Sequence, residues 1–276
     1  MRRFRALVLS LVFVFLPALF YSQGYPQRII SLSPAITEEL YLLGAGERIV
    51  ANTVYCKRPP EAEKKEKIGS AREIDIEGII ALRPDLVIAT SLTSPKSVEK
   101  LKGLGINVVV FHTARNFSGL CNQFLELAKL IGKEKEAQKI LKSSYRDVEA
   151  IRKSVAGLSK TRVIVQIGAR PLWVATKDSF INDFIEFAGG INLGPFGKGG
   201  LYSREEVLKR NPDVIIITTM GIVGKEEKKI WQKYKTISAV RNNRIYIVDS
   251  DKLCSPTPVS FVETLEEMVN ILHPHI

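Results

Sequence analysis

DIEGIIALRPDLVIAT, residues Asp75–Thr90, returns in outline as SREEVLKRNPDVIIIT, residues Ser203–Thr218. Each copy opens on a small polar residue, sets a glutamate two places on (Glu77 and Glu205), and runs through apolar positions to Pro84-Asp85 or Pro212-Asp213. Each then closes on an aliphatic strand ending in threonine. Proline disfavours helix in the residue before it and aspartate makes the turn, so each copy reads as helix, turn, strand. Asp75 and Ser203 take the N-cap places, and Ser203 with Glu206 has capping-box spacing. Glu77 and Glu205 are left at the second helical position with no capping task. One helix–strand unit used in both halves of a 276-residue chain predicts two lobes of the same α/β design.

Working outward, strands and helices alternate. QRIISL is a strand, and SPAITEELYLLGAG is a helix capped at Ser33, opened by Pro34 and stopped by Gly44 and Gly46. IVANT is a strand, YCKRPPEAEKKEKIGSAREI a polar loop, SPKSVEKLKGLG a helix and INVVVF a strand. After a break the alternation resumes with TRVIVQIG, RPLWVAT, DSFINDFIEFAGG, the loop INLGPFGKGGLY, the second copy, KEEKKIWQKY, RIYIVDS, the loop DKLCSPTP and a last helix VSFVETLEEMVNILH. Uninterrupted aliphatic strands signify parallel sheets covered on both faces. The break is helical: FSGLCNQFLELAKLIG, then KEKEAQKILKSSYRDVEAIRKSVAGL, about 24 residues and roughly 36 Å of helix. The expected fold is therefore two small doubly wound α/β lobes, 25–116 and 158–276, joined across 117–157 by one long helix, with a cleft between them.

Residues 1–24 place Arg2, Arg3 and Arg5 before an apolar run from Ala6 to Phe20, the pattern of a cleavable secretory leader. Pro17 and the short run argue against a permanent span. The formal charge is +11, but lysines alternate with glutamates as on solvated helix faces, and together with export this argues against nucleic acid as a partner. Cys56, Cys121 and Cys254 are too few for a disulfide framework and too scattered for zinc; they read as small buried hydrophobes, with one disulfide as the alternative. No Walker sequence, G-x-S-x-G or H-E-x-x-H occurs, so no enzyme constellation is found.

RIISLSPAITEELYLLGAGERIV, YCKRPPEA, IGSAREIDIEGIIALRPDLVIAT, FAGGINL, YSREEVLKRNPDVIIIT and VDSDKLCSP together resemble the periplasmic binding proteins of ABC importers for iron-siderophore complexes, haem and cobalamin. The resemblance implies ligand held between two lobes and a monomer that meets an ABC permease and its ATPase, with Glu77 and Glu205 as the docking glutamates. It implies no resident cofactor; the ligand itself is a metal-containing chelate. Tyr55 and Trp173 resemble positions where cobalamin-binding relatives place aromatics, with half-buried packing as the alternative role. Arg72 and Arg170 suit an anionic ligand, and Ser91, Tyr202 and Lys252 fall in loops expected at the cleft. Ala71 and the small Ser91 stand where further aromatics would be sought for cobalamin. Capture of a free metal ion is a competing reading, but only His112, His273 and His275 are available, the last two in what reads as a terminal tail. An exported α/β enzyme is the other.

Overall fold

The structure is a computed structural model that describes residues 24–197, 199–218 and 224–275. The leader lies outside these, apart from Gly24. The described residues form two five-stranded sheets. The first contains β1 (Ile29–Ser31), β2 (Ile49–Asn52), β3 (Glu66–Lys67), β4 (Leu86–Thr90) and β5 (Val108–Phe111), all parallel in the order β3-β2-β1-β4-β5. The second contains β6 (Thr161–Gly168), β7 (Trp173–Val174), β8 (Gly190–Asn192), β9 (Val214–Thr218) and β10 (Ile245–Val248). Here β10, β9, β6 and β8 run parallel, and β7 returns antiparallel against the far end of β6.

Alternate residues of each strand enter different cores, which is why the strands are aliphatic throughout. Ile29, Leu86 and Ile88 face inward, while Ile30, Val87 and Ala89 face the outer layer of the first lobe. In the second lobe Val163, Val214 and Ile216 face inward, and Ile164, Ile215 and Ile217 face out. The two inward faces belong to one continuous apolar cluster, closed by Phe117 and Phe124 on the helix Phe117–Ile131 and by Phe261 on the helix Pro258–Leu272. The long helix is Glu134–Val155, 22 residues, two fewer than the periodicity suggested. It packs against both Phe117–Ile131 and Pro258–Leu272. Gly132 ends the preceding helix in the left-handed region (φ 73°), and a Cβ there would fall 2.3 Å from the Tyr25 ring.

The repeated Pro-Asp pairs do more than turn the chain. The Asp85 carboxylate accepts from the amides of Gln27 (2.7 Å) and Arg28 (3.0 Å), and Asp213 accepts from the Arg162 amide (3.0 Å) and its guanidinium (2.9 and 3.1 Å). Each aspartate thus latches the entry of its lobe's first central strand, β1 or β6, onto the strand of the repeat. Asp213→Ala is expected to cost roughly 1–2 kcal/mol, discounted for partial solvent exposure, read as a lower urea midpoint at constant m-value.

Several local readings need correction. Ser203 caps the Glu206 amide (3.1 Å), but the Glu206 carboxylate pairs with Arg210 (2.9 Å) and closes no capping box. Ser33 sits at an N-cap without a side-chain cap bond. The polar loop after β2 contains the short helix Pro60–Glu63 and the two-residue edge strand β3, too brief to leave a period. SDKLC is the helix Ser250–Cys254 rather than part of a loop, and Ile191 and Asn192, read as the start of a loop, belong to β8. His273 is half-buried against the Ala188 carbonyl (3.0 Å), so it is not part of a free tail. The three thiols are free, Cys56 and Cys121 buried and Cys254 half-buried.

Candidate functional site: the cleft between the lobes

In the first sheet the chain leaves β1 toward β2 on one side and β4 on the other, so the crevice of a doubly wound sheet opens at the carboxyl ends of β1 and β4. The corresponding branch in the second sheet lies between β6 and β9. The two carboxyl-end surfaces meet. Arg58, beyond β2, donates to the carbonyls of Asp251 (2.8 Å) and Ser255 (3.1 Å) in the second lobe, and pairs with Glu38 (3.0 Å). Beside this clasp lies a cavity of about 130 Å³ walled by both lobes, with Ser33, Leu92 and Phe111 from the first and Phe180 and Ser255 from the second. A shallower hollow of about 280 Å³ at the outer edge of β5 is walled by the first lobe and the helix Phe117–Ile131.

Of the side chains expected at the cleft, Tyr55, Arg72, Ser91, Arg170 and Trp173 stand at or shortly after strand ends, whereas Tyr202 precedes the helix Arg204–Arg210 and Lys252 lies within the helix Ser250–Cys254; their functional groups differ in freedom. Tyr55 follows β2 and is 60% exposed; Trp173 opens β7 and is 39% exposed. Ser91 follows β4 and shares a hydrogen bond with Thr113 (2.9 Å). Arg72 and Arg170 are exposed, after β3 and β6. Tyr202 is half-buried, its hydroxyl donating to the Leu193 carbonyl (3.3 Å), and burial pushes its phenol upward. Lys252 pairs with Glu267 (2.9 Å). Tyr202 and Lys252 are therefore engaged within the second lobe. Glu77 and Glu205 are exposed on separate lobes, each at the second position of its helix, Ile76–Ala81 and Arg204–Arg210.

Sequence reasoning missed three participants. Leu92 is 63% exposed beside the mouth, and Leu201, 59% exposed, bridges to Trp173 as an isolated β-pair. Glu39 is buried in the cavity wall. Its signal was present: it falls three residues after Ile36 and four before Leu43, on the apolar stripe of its helix rather than on the solvated face. Among the described residues no group of three or more His, Cys, Asp and Glu gathers as a metal site, and no helix is long and apolar enough to cross a membrane.

Two lobes of parallel sheet, a branch point at each set of carboxyl ends and a shared long helix agree with a family model described as periplasmic binding protein, which matches residues 29–252. The chain belongs to the periplasmic binding protein family. Among curated relatives, this binding protein is 30% identical to the uncharacterised ABC transporter substrate-binding lipoprotein YvrC of Bacillus subtilis, over 90% of this chain and 81% of that one. It is 30% identical to the vitamin B12-binding protein of Vibrio campbellii, over 86% of each chain. Among solved structures, a possible iron-binding, periplasmic solute-binding protein of Staphylococcus epidermidis superposes with a TM-score of 0.79 at 31% identity, covering 90% of this chain and 99% of that one. The binding protein is thus a substrate-binding component of ABC transport and not an enzyme.

Proposed function

We propose that the protein captures a metal chelate, a cobalamin, haem or ferric siderophore, in the periplasm as a monomer and delivers it to the permease of an ABC importer. The observation that supports this reading is a set of exposed apolar side chains on both lobes, Tyr55 and Leu92 on the first and Trp173 and Leu201 on the second, which we assign to the rim of the cleft. Broad exposed apolar surface of this kind suits a large, largely flat ligand, because the area buried scales with the contact face. Arg72 and Arg170 offer charge to its carboxylate or phosphate groups. The names of the vitamin B12-binding and possible iron-binding relatives point the same way.

Tryptophan fluorescence tests it. Of the two tryptophans, Trp231 is fully buried, with its indole N–H donated to Gln166 (2.7 Å), so a cleft ligand reports mainly through Trp173. Titration with hemin, cyanocobalamin and a panel of ferric siderophores is expected to give saturable quenching by one of them, largely lost in Trp173→Phe. Silence across the panel, confirmed by calorimetry, would overturn the assignment.

A further inference from the structure

The cavity between the lobes contains a buried acid that the fold leaves unanswered. Glu39, on the helix Pro34–Leu42, is only 4% exposed, and its carboxyl has no hydrogen-bond or ion-pair partner among the described residues. Other buried or half-buried carboxylates have theirs: Glu38 has Arg58, Glu227 has Arg204 (2.7 Å) and Gln166 (2.9 Å), and Asp183 accepts the Phe117 amide (2.7 Å). A largely buried carboxyl without a partner is costly, and such a group lining a cavity asks what completes it.

Its surroundings define the answer. Desolvation first, and then the charge of Glu38, hold the Glu39 proton on well above the usual carboxylate range. Among the described residues no lysine or arginine lines the wall to answer it. Glu38 is occupied by Arg58, and Arg58 in turn by the carbonyls of Asp251 and Ser255. Cys254 lines the same cavity and Cys121 lies within electrostatic reach of Glu39; burial pushes each thiol up to about 12, so both stay neutral. His112 lines the cavity from beyond β5 and is exposed. The rest of the wall is mainly apolar, with Ile36, Phe111, Leu120 and Phe180, and also carries the polar side chains of Ser33, Thr90, Thr113, Gln123 and Ser255. At about 130 Å³ the space is close to that of a hollow known to take a benzene-sized guest.

We propose that this cavity is a binding subsite for a primary ammonium group on a short apolar stem, with the Glu39 carboxylate as its counter-ion and the apolar wall around the stem. The ammonium enters from the cleft between Ser33, Leu92 and Ser255, Glu39 releases its proton to solvent, and a carboxylate–ammonium pair forms in a desolvated space, where such a pair is strongest if both partners are satisfied. Anions are disfavoured by Glu39 and Glu38 alike. The subsite stands whether or not the outer rim takes a chelate.

The linkage is specific. Because the cation binds the ionised form and the free protein holds the proton, apparent affinity rises about tenfold per pH unit below the Glu39 midpoint, then levels. The test is a titration of the full chain, carrying glutamate labelled with ¹³C at the carboxyl, with n-butylammonium chloride, at two acid pH values one unit apart. n-Butanol and sodium chloride serve as controls. The carboxyl resonance absent from Glu39→Gln is expected to move to its ionised position on saturation, affinity to rise about tenfold across the pH unit, and binding to weaken at least about tenfold in Glu39→Leu. n-Butanol is expected to leave the resonance in place. Equal affinity in the wild type and Glu39→Leu, or a Glu39 resonance that does not respond, overturns the subsite. Should Glu39→Leu fail to fold, Glu39→Gln decides: it keeps the shape and one acceptor oxygen, so retention of the full pH dependence would overturn the proposal. The readout is independent of the tryptophan titration, so loss of the chelate assignment and loss of this subsite are separately visible.

Discussion

Replacing Glu77 and Glu205 together by alanine is expected to abolish uptake of the ligand by cells while leaving ligand affinity and the melting temperature unchanged. Both carboxylates are exposed, one on each lobe, at the same place in the repeated unit. Neither performs the cap. The Gly78 amide is taken by Asp75 (2.9 Å) and the Glu206 amide by Ser203 (3.1 Å), so the helices keep their N-terminal hydrogen bonds in the variant. Hydrogen bonds from its own backbone amide and from the Ser203 hydroxyl hold the Glu205 carboxyl below the usual range, so it is ionised at neutral pH. Paired charges of fixed spacing suit arginines on a roughly two-fold partner, and truncating one member of a desolvated charge pair costs about tenfold or more. Two pairs lost together should therefore reduce uptake by roughly a hundredfold or more. Uptake at the wild-type rate, with calorimetry showing intact binding, would remove the docking role; a charge reversal rescued by a reversed permease would establish it.

Phe261→Ala is expected to be the most destabilising single substitution considered, at about 3–5 kcal/mol. The ring is fully buried, stacked on Phe184 at 4.0 Å and tilted against Phe117 at 4.6 Å, with Phe187 at 6.3 Å. Phe117 begins the helix that covers the inward face of the first lobe, and Phe184 belongs to the second lobe, so the cavity would open where the two halves share their core. The same continuity means that the wild type should unfold in one transition. Urea denaturation followed by far-ultraviolet circular dichroism and by fluorescence checks both statements. Coincident curves with a lower midpoint in the variant are expected, and two separated transitions in the wild type would show that the lobes fold independently. A shared core also supplies a physical reason for limited lobe motion, because opening the cleft widely would expose apolar surface on both sheets.

Much of this was legible in order along the chain. The repeat at Asp75–Thr90 and Ser203–Thr218, the aliphatic strands, the stop at Gly132 and the long helix all rest on local rules: side-chain period, capping and the backbone limits of proline and glycine. These energies act over a few residues, so the sequence carries them openly. The short elements β3, β7 and β8 were less legible because two or three residues leave no period, and their pairing partners lie elsewhere. Asp85 and Asp213 show the same limit from another side: each was read as a turn residue, yet each binds the entry of a strand 51 to 58 positions away.

By itself, then, the sequence determined that this protein has two equivalent α/β lobes and a helix between them, and which face of each helix is apolar. Only the tertiary structure decided that the inward faces merge into one core through Phe117, Phe184 and Phe261, that Arg58 clasps the second lobe, and that Glu39 lines the space between the lobes. The physical reason is that a lone side chain's environment is set by segments 60 to 200 or so residues distant, whose approach follows from how whole sheets and helices cover one another and not from any local pattern.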